Sequence, residues 1–145
     1  MSQIFNQCEQ LAWGGFLTTY AKINRIMEDD LQAHSRITHV EFEVLLRLSW
    51  SEEHRMRIQD LAAQSILTRS GVSRVVERLE KAGFVRREEA AEDRRGAYAV
   101  LTEAGVEHFR VAAQKHHVCV RENFLDKFSE EELRVMGEFW ERLNS

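Results

Sequence analysis

Eight donor side chains and one carboxylate between Thr68 and Arg95 form the set in this sequence best suited to chemistry. Thr68, Arg69, Ser70, Ser73, Arg74 and Arg78 fall on the polar side of a helical repeat, and Val72, Val76 and Leu79 take the other side. Asp93-Arg94-Arg95-Gly96 follows as the end of a loop between two strand-like runs, placing two guanidinium groups beside a carboxylate able to hold one of them. Hydroxyls and planar guanidinium forks suit phosphate oxygens and the edges of nucleic-acid bases. No nucleophile-and-base grouping, phosphate-cradling glycine loop or distinctive carboxylate pair accompanies them, so the chain reads as a non-enzyme.

Those donors need a helix and a hairpin to position them. Thr68 is the expected N-cap of the helix, and Lys81-Ala82-Gly83 its end, with a cation in the last turn and Gly83 at the residue after the C-cap. Phe84-Val85-Arg86-Arg87 is the outgoing strand and Ala97 to Leu101 the returning one. Upstream, a long first helix is marked by Ile4, Phe5, Cys8, Leu11, Phe16, Ile23 and Met27, loosened near Gly14-Gly15. Thr38-x-x-Glu41 has the form of a capping box and opens a second helix, Met56-Arg57-Ile58 adds a short strand, and Ile58, Leu61 and Ala62 belong to a short third helix. Thr102 caps a long fifth helix through Val106, Phe109, Ala113, Val120 and Phe124, and Ser129-x-x-Glu132 starts a sixth containing Leu133, Met136, Trp140 and Leu143.

The chain's 145 residues suit one domain, and no proline or Gly/Ser linker marks a boundary. Its formal charge is −4, yet residues 55–96 hold ten Arg and Lys against seven Asp and Glu, a local +3 on a body of −7. Such a distribution suits a surface that engages phosphates and then releases them. No apolar run approaches a membrane span, and the N-terminus lacks the order of a signal peptide, so a cytoplasmic protein is expected. The two end helices carry apolar stripes that a small basic core cannot cover, which predicts a homodimer built from the first, fifth and sixth helices. A two-fold dimer presents two reading helices to a pseudo-palindromic site.

With these residues in view, the chain resembles the MarR family of winged helix-turn-helix regulators. The resemblance runs through the order of elements and is most specific in LTRSGVSRVVERLEKAGFVRRE and EDRRGAYAVLTEAG, where the Asp-x-Arg of the wing, the returning strand and Leu-Thr-x-x-Gly stand in register. It implies a mainly α fold with a small β-hairpin wing: a winged helix-turn-helix lobe over about residues 38–101, flanked by dimerisation helices over about 1–35 and 102–145. It also implies a transcriptional regulator, most often a repressor, that binds a double-stranded operator. On that reading Thr68, Arg69, Ser70, Ser73 and Arg74 lie at the major groove, Arg78 within reach of a phosphate, and Asp93 and Arg95 form the wing pair. Arg95 is then the side chain that enters the minor groove, and Arg94 supports it from the backbone side. Gln59 departs from the pattern, standing where the family often has Ser or Thr at the start of the third helix.

Relatives in this family border a ligand cleft with their first two helices. The corresponding residues here are Trp13, Phe16, Tyr20, Phe42, Leu46 and Trp50, and the ligand class implied is a small aromatic or anionic molecule; aromatic residues at this spacing serve equally as core. The sequence implies no cofactor. Zinc sensing finds little support, because His116 and His117 point about 100° apart on a helix. Redox sensing through Cys8 lacks a neighbouring cation, and both Cys8 and Cys119 are expected to be buried, inert thiols. A winged helix used as a protein-interaction module remains the rival from another class.

Overall fold

The computed structural model describes residues 4–64, 69–92 and 96–145, the side chain of Arg69 excepted. In chain order these residues form α1 (Gln7–Ser35), α2 (His39–Trp50), β1 (Arg55–Arg57), α3 (Ile58–Gln64), α4 (Arg69–Lys81), β2 (Val85–Glu89), β3 (Ala97–Leu101), α5 (Glu103–Asn123) and α6 (Glu130–Asn144). Among the described residues no helix is long and apolar enough to cross a membrane. Contacts divide the chain into two compact units, Leu31–Lys115 and Met1–Asp30 with His116–Ser145. The divisions fall inside α1 and α5, so each of these helices contributes to both units.

The first unit is a winged lobe. Thr38 accepts from the Glu41 N–H at 3.0 Å while the Glu41 carboxylate accepts from the Thr38 N–H at 2.9 Å, the reciprocal cap expected at the start of α2. Leu45 and Leu48 of α2, Leu61 of α3, Val72, Val75, Val76 and Leu79 of α4, and Val85 and Ala99 of the sheet close one apolar core. Each strand joins the sheet through β3, in the antiparallel order β1-β3-β2, with Arg57 opposite Tyr98 and Arg87 opposite Ala99. The outgoing wing strand runs one residue later at its start and two later at its end than the sequence suggested. Phe84 is taken up by the end of α4: its N–H donates to the Leu79 carbonyl, the Gly83 N–H donates to Glu80, and Gly83 sits at φ +83°. That pairing is the Schellman closure, which needs a left-handed residue and so favours glycine.

A second clamp joins the wing to α5. The Thr102 hydroxyl donates to the Gly83 carbonyl at 2.7 Å and accepts from the Gly105 N–H at 3.0 Å, while the Thr102 N–H donates to the Phe84 carbonyl. A side chain at residue 105 would run into that Phe84 carbonyl. Leu-Thr-x-x-Gly is thus a local device: threonine caps α5 and ties it to the end of α4, and glycine permits the close approach.

In the second unit the two ends of the chain meet. Phe16 lies 5.7 Å from Trp140, ring centre to ring centre, and stacks in series with Trp13 and Tyr20 of its own helix. Ser129 and Glu132 make the expected capping box of α6. Asn6 and Glu9 make another at the start of α1, with bonds of 2.7 and 3.0 Å that the sequence reading passed over. The helix runs unbroken through Gly14-Gly15, where loosening was expected. Two interior glycines cost about 1 kcal/mol each against alanine, too little to interrupt a helix with strong formers on both sides. Cys8, expected to be buried, is exposed, because the apolar stripe of α1 here is left largely uncovered; Cys119 is buried as expected.

Candidate nucleic-acid interface

The apolar face of α4 is fully spent in the lobe core, since Val72, Val75, Val76 and Leu79 are all buried. One helical face so fixed leaves the other to solvent, and Ser70, Arg74 and Arg78 are exposed there, with Ser73 half-buried. Among the described residues Arg74 makes no ion pair, so its guanidinium is open to an incoming acceptor. Thr68, Asp93, Arg94 and Arg95 lie outside the described residues, and with them the expected helix cap and wing pair. The described strands bring β2 and β3 out toward that segment, with Glu89 paired to Ala97 at their far end.

Arg78 is placed differently from its neighbours. Its Nε donates to Glu41 Oε1 at 2.8 Å, forming an ion pair with a carboxylate on α2 that is buried while Arg78 stays about half exposed. Sequence reading took Glu41 only as a cap and Arg78 only as a phosphate contact. The pair joins residues 37 apart, a separation at which no local pattern signals contact.

Arg87 was not singled out from the sequence, and it ties the wing to α4. Its Nη2 donates to the Ser73 carbonyl at 3.1 Å, its backbone N–H to Glu80 at 3.2 Å, and its Nε lies 3.8 Å from the same carboxylate. Together with Arg57, Gln59 and Ser73 it lines a shallow cleft of about 200 Å³ between α3, α4 and the wing. One pair in from the far end of β2 and β3, where Glu88 lies opposite Tyr98, Arg55 packs over the Tyr98 ring at 4.0 Å and reaches Glu88 at 3.6 Å. A hydrogen bond from Arg86 holds the Glu88 carboxyl below its usual range. The only sequence signal for these residues was the excess of arginine in this stretch.

The expected ligand-binding residues divide between the units. Trp13, Phe16 and Tyr20 lie in the terminal unit on exposed parts of α1, and Phe42, Leu46 and Trp50 lie in the lobe. Phe42 is a core residue packed 5.4 Å from Phe109; Leu46 is partly buried, and Trp50 is 78% exposed at the end of α2. His108 is occupied structurally, stacked on Phe84 at 4.1 Å with its Nε2 2.9 Å from the Ser35 carbonyl. Among the described residues no three His, Cys, Asp or Glu side chains gather as metal ligands. Burial pushes the Cys119 thiol above its ordinary pKa, and the Asp30 carboxylate beside it acts in the same direction. Both effects disfavour the thiolate, the reactive form.

A family model described as MarR family matches residues 37–96, a span that takes in α2, β1, α3, α4 and β2. In Bacillus subtilis the HTH-type transcriptional repressor YetL is 27% identical over 126 residues, covering 85% of this chain and 75% of that one. Two solved structures from Streptomyces coelicolor superpose over nearly the whole chain. The MarR family regulator Sco3205, in complex with DNA, is 32% identical with a TM-score of 0.92, covering 98% of this chain and 89% of that one. AbsC, also a MarR family transcriptional regulator, is 36% identical with a TM-score of 0.91, covering 99% and 96%.

Proposed function

The chain belongs to the MarR family of transcriptional regulators, and from that premise we propose that it binds double-stranded DNA sequence-specifically, as a homodimer in the cytoplasm, and represses transcription. What carries the reading is α4. Its apolar face is locked in the core, its outer face offers Ser70, Arg74 and Arg78, and a wing tied to it by Arg87 adjoins it. In this reading Thr68, Arg69, Ser70, Ser73 and Arg74 face the major groove, Arg78 meets a phosphate, and Arg95, set by Asp93 and supported by Arg94, enters the minor groove. The family is one of regulators and not of enzymes, in keeping with the lack of a catalytic motif in the sequence.

Dimerisation is supported by the terminal unit, where Leu11, Trp13, Leu17, Phe139, Trp140 and Leu143 remain exposed in the single chain. Large apolar side chains gathered on two adjoining helices are a face for a second copy. The excess of positive charge over residues 55–96 supports DNA over a protein partner, and a salt titration separates the two. Binding to duplex DNA should fall linearly in log affinity with log salt, with a slope set by the phosphates neutralised. An affinity for DNA that does not respond to salt would rule out the proposed contact.

A further inference from the structure

We infer that Glu41 is a positioning residue for DNA binding, acting through Arg78; the inference rests on the proposed DNA reading and goes beyond it in assigning the side chain that aims this contact. The geometry is that of a three-part chain. The Glu41 carboxylate accepts from the Thr38 N–H at 2.9 Å through Oε2 and from Arg78 Nε at 2.8 Å through Oε1, so each oxygen has its own partner. Glu41 is buried to 8% exposure, on a capped helix whose other face is core. It is therefore a fixed anchor. Arg78 lies on α4 with its side chain 53% exposed, and Glu41 is its one hydrogen-bond partner among the described residues.

A guanidinium has two usable edges, and a bond from Nε to a carboxylate leaves terminal N–H groups to donate elsewhere. Held in this way, Arg78 loses little further side-chain freedom on meeting a phosphate, which is where an unrestrained arginine gives up much of its contact energy. The same bond fastens α4 to the start of α2, two segments that local sequence does not join. Arg74, one turn earlier on α4, has no such anchor among the described residues, so Arg78 is preset where Arg74 is adaptable.

Charge alone predicts the opposite of this role. Replacing Glu41 by glutamine removes a negative charge near phosphates and should tighten binding if only the net field mattered. Glutamine also serves at this position of a capping box, so E41Q retains the cap of α2 and changes chiefly the hold on Arg78.

The test uses the full-length chain, a mixed-sequence DNA duplex, affinity over a range of salt, and thermal melting to establish that each variant is folded. E41Q is expected to weaken binding by about tenfold for each bound protomer, the size of one charge-assisted contact, with R78A similar. Both should lower the slope of log affinity against log salt by about one unit for each bound protomer, and the double variant should lose no more than either single variant. R78K, which keeps the charge without the second edge, should not restore wild-type affinity. A wild-type chain that binds with a salt-dependent affinity while E41Q binds equally or more tightly overturns the inference alone, as do additive losses in the double variant. A wild-type chain that does not bind duplex DNA overturns the DNA reading and the inference with it.

Discussion

In the winged lobe Leu45, Leu48, Val72 and Val76 are wholly out of water, whereas in the terminal unit Leu11, Leu17, Phe139 and Leu143 remain at the surface of the single chain. Met27 and Cys119 are the buried apolar residues of the terminal unit among those described; all the rest belong to the lobe. A core that closes on itself can fold as a unit. A pair of helix segments with this much apolar surface needs cover, and the difference separates what the chain completes alone from what it leaves for a second copy. Ion pairs do not follow the same division: Arg78 with Glu41 and Arg87 with Glu80 join elements of the lobe, yet Arg47 and Arg110 there pair with Glu43 and Glu107 of their own helices, as Arg134 does with Glu131 and Glu138 in α6.

The sharpest way to break the comparison is to remove part of the uncovered face. Deleting residues 129–145 should abolish the dimer and leave a monomer or aggregate by light scattering, with operator affinity falling along with it. A stable, monodisperse dimer after the deletion would mean that α6 does not belong to the interface. Within the lobe, Leu45→Ala should cost about 2–5 kcal/mol of stability by denaturant unfolding, as for a wholly buried leucine. Leu143→Ala, at 74% exposure in the single chain, should leave the melting of the lobe unchanged and act through the dimer alone. Equal losses at both positions would erase the distinction between the units.

On the DNA-facing side the effects are smaller and separable. Arg74→Ala should cost roughly 1–3 kcal/mol of operator affinity and relax base preference, as expected for a bidentate contact to a guanine edge. The same loss on operator and mixed-sequence DNA would reassign Arg74 to a phosphate. Asp93→Ala should weaken binding modestly although it removes a negative charge, because its carboxylate fixes the angle of Arg95; the comparison is Asp93→Ala, Arg95→Ala and both together at fixed salt. Tighter binding by Asp93→Ala would remove the orienting role, and additive losses would make the two residues independent.

Local chemistry was legible in the sequence and distant chemistry was not. Thr38 with Glu41, Ser129 with Glu132, and Gly83 at the end of α4 are devices six residues long or shorter, and each stands where its pattern placed it. The capping box at Asn6 was passed over because the apolar stripe begins at Ile4 and drew the expected helix start forward. Strand order also lay beyond local pattern: β1 is three residues long, and its pairing with β3 is set by a contact across more than forty residues. The Glu41–Arg78 pair failed to show for the same reason, since a capping motif accounts fully for Glu41 and hides its second partner. Cys8 was misplaced because an apolar pattern records which side of a helix is to be covered and is silent on whether the cover comes from the same chain.

Selection of bound sequences from a pool of random duplexes tests the central claim most directly, with the mass of the recovered complex measured alongside. The account predicts a sequence with two halves related by an approximate two-fold axis, their centres about one helical turn apart or a multiple of it, bound by two copies of the chain. Failure to enrich any sequence, or recovery of an asymmetric site occupied by a single chain, would contradict it.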